Sequence, residues 1–197
     1  MKLIIPIFFI LLLFNCSKTK KKEDQLFVVK NNFSVSGFYK KLDSLNEAHS
    51  KNDSLEAPIT TNDKRLNKNY VHGAIHFLIL DKDNSYYVID NLKPFLLCGN
   101  TGEFLKQDSI DFIEKSNLLT DRSQPIRTSE ITKILKQHQN AIVNTEDINH
   151  PLNISFALKN DTLKGSTMYH IISFMENNGM KSYTIRRMNA YELKKVK

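Results

Sequence analysis

The stretch Ala74–Leu80, AIHFLIL, constrains this chain more than any other. Apolar side chains fill both alternating sets of positions, and a strand with that pattern has to be covered on both faces. It predicts a central strand with layers above and below it. Asp81–Ser85, DKDNS, is dense in turn formers and predicts a hairpin turn, with Tyr86–Ile89 as the return strand.

The rest of the pattern supplies the layers. Phe38, Leu42 and Leu45 recur at i, i+4 and i+7 behind Ser34 or Ser36, which predicts an amphipathic helix over 36–49. A short helix is expected over 108–117, capped by Asp108 and burying Ile110 and Ile113. Pro125 breaks the chain, and Thr128 or Ser129 then caps a helix with Ile131, Ile134, Leu135 and Ile142 on one face. Pro151 introduces a half-buried strand over 153–159. Met168, Ile171, Ile172 and Met175 stripe a last helix that ends at Gly179, the place for a left-handed cap, with Met180 packing back on the helix. The final strand covers 181–188. Leu26–Val29 and Phe95–Cys98 are candidates for further short strands, and Ser50–Asn69 reads as a mobile loop or a linker. With no internal repeat visible, the expected fold is α+β: a small β-sheet with helices packed mainly on one face and a C-terminal strand-helix-strand unit.

Residues 1–16, MKLIIPIFFILLLFNC, have a different character. Lys2 precedes the apolar run Leu3–Phe14, which at 12 residues is shorter than the roughly 20 that cross a bilayer as a helix. Positive start, short apolar run and cysteine together form the layout of a bacterial export signal. Leu13, Phe14, Asn15 and Cys16 resemble the lipobox of bacterial lipoproteins, although Phe14 and Asn15 are bulkier than the small residues usual before the cut. The resemblance implies removal of residues 1–15 and a covalent lipid on Cys16. The chain then divides into a signal peptide (1–15), a lipidated cysteine with a polar tether (16–25), an N-terminal helical segment with its loop (26–69) and an α+β domain (70–197). The expected location is the cell envelope, lipid-anchored, on the periplasmic face or the cell surface. Lys22, Glu23 and Asp24 also resemble the short basic-then-acidic surface-export signals of some lipoproteins.

Charge fits that address. The net charge of +7 becomes +6 when Lys2 leaves with the signal. Much of the excess lies in Lys18, Lys20, Lys21, Lys22 and in Lys194, Lys195, Lys197, which read as tails. Lysines beside a lipidated cysteine suit anionic headgroups. No basic surface interleaved with aromatics is present, so nucleic acid is not an expected partner. Once Cys16 carries lipid, Cys98 stands alone in the apolar run Phe95–Cys98 and reads as a buried, inert thiol.

Chemical motifs are few. His72 and His76 are four apart, a spacing that begins a zinc site if His49, His138, His150, His170 or Asp81 adds a third ligand; an ordinary core or edge histidine is the alternative. Asp81, Asp83 and Ser85 imitate the opening of a calcium loop, but Tyr86 replaces the required glycine and Leu92 the bidentate glutamate, which leaves a hairpin turn. Lys164–Thr167 lacks the rest of a phosphate loop and reads as a capped turn. Tyr86 and Tyr87, with Tyr183, Arg186 and Arg187, are candidates for a partner or ligand patch, though consecutive strand residues point to opposite faces. No nucleophile elbow, HExxH or paired-carboxylate motif occurs, and no cofactor beyond the lipid is expected.

The order hairpin, helix, strand, helix, strand runs through DKDNSYYV, TSEITKILKQ, NISFALKNDT, MYHIISFMENNGM and KSYTIRRM. Over residues 70–188, with an extra segment at 91–124, it resembles the periplasmic domain of the biopolymer-transport accessory proteins that work with a proton-driven motor. That family is anchored by a membrane helix with an acidic proton-relay residue, and Leu3–Phe14 contains none. Motor activity is therefore not carried over. The resemblance implies a periplasmic interaction domain that pairs with itself or binds an envelope partner. The expected function is a lipid-anchored envelope module for interaction, scaffolding or binding. A ligand-binding or inhibitor lipoprotein, with a pocket near His76, Tyr86 and Tyr87, and a metal-assisted hydrolase using His72 and His76 are the alternatives.

Overall fold

The computed structural model describes residues 31–51, 75–90, 106–143, 154–180 and 183–197. In chain order these form β1 (Asn32–Ser34), α1 (Val35–Lys51), β2 (Ile75–Ile79), β3 (Asn84–Ile89), α2 (Lys106–Asp121) and β4 (Gln124–Arg127). A 3-10 turn at Thr128–Glu130 leads to α3 (Ile131–Gln137) and α4 (Gln139–Val143). β5 (Ile154–Leu158), β6 (Thr162–Lys164), α5 (Thr167–Asn177), β7 (Tyr183–Arg187) and α6 (Ala190–Lys195) follow. The main sheet has the order β4-β3-β2-β5-β7, and β1 and β6 make a separate antiparallel pair. β2, β5 and β7 run parallel, while β3 and β4 continue the sheet antiparallel. The fold is α+β, with β2 in the middle of the sheet.

Each sheet face has its own core. On the first face, Phe77 of β2 stacks on Phe156 of β5 at 5.3 Å, flanked by Ile75, Ile79, Ile154, Leu158, Tyr183 and Ile185. Phe38 and Leu42 of α1, Ile131 and Leu135 of α3, Ile142 of α4 and the Met168, Ile171, Ile172, Met175 stripe of α5 complete this cluster. Four of the six α-helices among the described residues therefore lie on this face. Burying each of these large side chains contributes about 1.5–3 kcal/mol. The second face is smaller: Leu78, Ala157, Met188 and Val196, with Leu80, Tyr86 and Leu193 against them, under α6 and the neighbouring α2.

α1 belongs to this core rather than to a separate segment, since β1 pairs with β6 and Tyr39 reaches β7. Ser34 caps α1 by accepting the Gly37 N–H at 3.1 Å, one of the two caps expected. The edges of the main sheet are partly closed, in different ways. Thr128 N–H donates to Asp83 O at 3.0 Å, which sets the antiparallel alternation and turns the main-chain groups of Pro125 and Arg127 outward. Proline has no N–H, and the Arg127 N–H donates to Glu130 Oε2 at 2.9 Å. At the opposite edge the Tyr39 hydroxyl donates to Ile185 O at 2.7 Å. Burial pushes the Tyr39 phenol up, the Arg186 charge offsetting part of the effect, so it stays a protonated donor.

Several expectations need correction. Pro125 does not end an element; it sits on edge strand β4, the position in a sheet that tolerates proline. β5 is buried at all five residues, not half-buried, because Ser155 and Ala157 face the second layer. α2 starts before Asp108 and runs to Asp121; its buried face is Ser116, Leu119 and Thr120, whereas Ile110 is exposed. The lysines at 194 and 195 belong to helix α6 and not to a loose tail. The helix expected after Thr128 is divided at His138. The expected strands at Leu26–Val29 and Phe95–Cys98, most of the loop at 50–69, and both cysteines lie outside the described residues.

The end of α5 matches its sequence signal. Gly179 has φ +73°, its N–H donates to Glu176 O at 3.2 Å, and Met180 N–H donates to Met175 O at 2.9 Å, with the Met180 side chain fully buried. These are the two hydrogen bonds of a Schellman motif. A Cβ at 179 would meet only Val143 Cγ1 at 3.9 Å, so a substitution there strains the backbone and not the packing. Gly179→Ala is expected to lower stability by about 1 kcal/mol in urea denaturation, and Gly179→Asn by less, because asparagine tolerates this conformation. Equal stability of Gly179→Ala and the parent chain would contradict the strain assignment.

Candidate functional site

Alternation along the strands separates the side chains that the sequence placed together. Tyr86 faces the second core, whereas Tyr87 packs on the first and stacks with Phe77 at 6.4 Å. Tyr183 is buried in the first core, Arg186 lies on the second face, and Arg187 is exposed on the first side. Burial raises the Tyr183 phenol far above its ordinary value, and the Glu176 charge adds to the shift. These five residues therefore share no single surface.

His76 is the second residue of β2 and lies on the second face, 2% exposed. Its register neighbours are Val88 on β3 and Ser155 on β5, and Ser155 in turn neighbours Thr184 on β7. A histidine beside a serine invites a nucleophile–base reading, which needs the two in hydrogen-bond contact and open to substrate. Ser155 is 1% exposed, and its Oγ makes no hydrogen bond among the described residues. The row is packed sheet surface, not an assembled pair. His72 lies outside the described residues, among which no three His, Cys, Asp or Glu side chains come together as a metal set.

The calcium-like turn uses its oxygens internally. Asp81 Oδ1 accepts the N–H groups of Asp83 and Asn84, each at 2.8 Å, and the Asn84 amide at 3.1 Å. Burial works to raise the Asp81 carboxyl, but these hydrogen bonds and the Lys82 charge together hold it below the usual range. Thr128 fastens this turn to the 3-10 turn before α3, meeting Ser85 Oγ at 2.7 Å and donating to Asp81 O at 3.1 Å.

Two polar clusters that the sequence reading missed carry more of the structure. In the first, Glu192 is 1% exposed and takes both arms of the Arg186 guanidinium, Nη1 to Oε2 and Nη2 to Oε1, each at 2.7 Å. Its Oε2 also accepts Asn189 N–H at 2.8 Å, while Asn189 Oδ1 accepts Glu192 N–H at 2.9 Å, a reciprocal capping box. The local signal was the spacing Asn189-x-x-Glu192. The arginine partner comes only with the fold. From α6, the Tyr191 hydroxyl donates to Asp121 Oδ2 at 2.8 Å and Lys195 Nζ to Asp121 O at 3.2 Å, so α6 also holds α2.

In the second cluster Asp161 closes the start of α1. It accepts both the N–H and the hydroxyl of Ser36, at 3.0 and 2.9 Å, and the Ser34 hydroxyl at 2.9 Å. These bonds, led by that from the Ser36 hydroxyl and helped by the Arg187 charge, hold the Asp161 carboxyl below its usual range. The outermost surface of α2 is different again. Of the four large apolar side chains exposed among the described residues, Ile110, Leu118 and Tyr191 lie on α2 and α6, with Leu118 64% exposed. None of the described helices is long and apolar enough to cross a membrane.

Arg186→Met is expected to destabilise the protein by about 3 kcal/mol, since it leaves the Glu192 carboxylate buried and unpaired, and Arg186→Met with Glu192→Met by much less. Thermal melts of the two variants and of the single Glu192→Met chain close the double-mutant cycle. Additive losses would show the pair to be uncoupled. A carboxyl held low in the native state stabilises above the ordinary carboxyl range, and that stability disappears as pH falls through the native value. The parent should therefore exceed Asp161→Ala by about 1 kcal/mol at pH 7, with the gap closing in acid; a gap independent of pH would exclude ionised Asp161 as its source. Compared with known proteins, the chain matches no family model, no curated protein and no solved structure, so its own geometry is the basis for a functional reading.

Proposed function

We propose that the protein is a lipid-anchored module of the cell envelope that binds another envelope protein through the outer surface of α2 and α6. The observation that carries the interaction role is the placement of Ile110, Leu118 and Tyr191, exposed apolar groups on two helices that hydrogen bonds join. Exposed apolar groups gathered on one surface mark contact sites more often than isolated ones do. The lipobox-like residues ending at Cys16 support the anchor. The donors withheld at β4 and the Ile185 carbonyl covered at β7 leave fewer main-chain groups for strand addition and favour contact through helices.

The charged groups at the centre of the polar clusters have structural work. Asp81 orders a turn, Asp161 closes a helix start, and Arg186 pairs with Glu192. The element order that resembles the periplasmic domain of biopolymer-transport accessory proteins fits an interaction role without motor activity.

Two measurements test the two halves. Labelled palmitate should enter the parent chain and not Cys16→Ser. A photoreactive amino acid at Leu118 should give one reproducible protein adduct in intact cells, and Ile110→Asp should reduce its yield at least tenfold with the circular dichroism spectrum unchanged. An adduct yield unaffected by Ile110→Asp, or no adduct, would remove the proposed contact surface.

A further inference from the structure

The described chain enters the fold at one corner. Asn31 O accepts the Gly165 N–H, Asn32 pairs with Lys164, and α1 begins three residues after Asn32. Fifteen peptide steps separate Asn31 from Cys16, a reach of at most about 50 Å. A lipid on Cys16 therefore holds the domain by the corner built from β1, β6 and the start of α1.

That corner is basic. Lys164 on β6 and Arg187 at the end of β7 are exposed, as are Lys40 and Lys41, which lie one helical turn along α1 from Ser36 and Gly37. Asp161, the carboxylate at the helix start, is already bonded to Ser34 and Ser36, and Asp43 lies further along the helix. Leu163 points into the core between outward-facing Thr162 and Lys164, so β6 presents one polar side away from the fold.

We propose that this corner lies against anionic membrane lipid and turns the α2/α6 surface away from the bilayer. The inference rests on the lipid-anchored reading above. β1, β6 and α1 pack on the first face of the sheet, while α6 covers the second and holds α2 beside it, so a domain seated by its corner offers the exposed Leu118 to the aqueous side. Each Lys or Arg near an anionic surface is worth about 1 kcal/mol, or roughly fivefold in occupancy. Screening limits the effect to groups within about 8 Å of the headgroups at physiological salt, so only the face that the tether brings to the bilayer gains from it; the exposed Lys194, Lys195 and Lys197 at α6 do not.

The test places a photoreactive amino acid at Thr162 or at Leu118 of the full chain in cells grown with labelled palmitate. Phospholipid adducts should form at Thr162 at least fivefold more than at Leu118. Lys40→Ala with Lys164→Ala should lower the Thr162 yield several-fold. Equal lipid yields at the two positions in palmitate-labelled protein, a protein adduct in place of lipid at Thr162, or no effect of the lysine changes overturns the orientation while the anchor stands. A parent chain without palmitate, retained in membranes as well as Cys16→Ser is, overturns the orientation and the anchored reading together.

Discussion

Two strands buried on both faces are the constraint on which the rest of this structure depends. All five residues of β2 and all five of β5 are out of solvent, so neither strand is stable unless each face of the sheet has a cover. The first face is covered mainly by hydrocarbon, its few polar groups being hydroxyls such as those of Ser85, Thr128 and Tyr39. The second carries Ser155, Thr184 and Arg186 beside Leu78 and Ala157, and a purely apolar cover would strand the guanidinium. Glu192 resolves this by bringing its carboxylate under α6 and taking both arms of Arg186. A six-residue helix is too short to persist by propensity. Here the capping box, the ion pair and the burial of Val196 hold it.

Closure of the sheet edges follows a different logic, because an edge strand exposes main-chain groups whatever its side chains are. β4 withholds two donors: Pro125 lacks one, and Glu130 takes the one from Arg127. At β7 a tyrosine from α1 covers the carbonyl of Ile185. Both devices use groups from elements next to the sheet.

How much of this was legible follows from how local each signal is. β2 was readable because seven neighbouring residues carry its pattern, and the end of α5 because one glycine with the methionine after it specifies the cap. β1 and β6 have three residues each, too few for a period, and become strands by pairing with each other. Pro125 read as a break because the edge position that accommodates it is a property of strand order. α6 was hidden by its lysines, whose composition resembles a solvated tail, while its determinant joins residues on a strand and a helix. The candidate patch failed to assemble for a reason already in the sequence: Tyr86 with Tyr87 and Arg186 with Arg187 are consecutive, so the pleat sends them to opposite faces.

The buried ion pair also reaches the outer surface. Arg186 fixes Glu192 and with it α6; Tyr191 and Lys195 of α6 then hold Asp121 at the end of α2. Leu118 lies one turn before Asp121, so its position traces through these links to a guanidinium beneath α6. Coupling through a chain of hydrogen bonds and packed helices is as strong as its weakest member. Those members are the two exposed bonds to Asp121, whereas the Arg186–Glu192 contact is the buried one. α2 also meets β3 directly, and Lys115 pairs with Asp90 just past the end of that strand at 3.3 Å, so the helix that carries Leu118 is tied to the sheet as well as to α6.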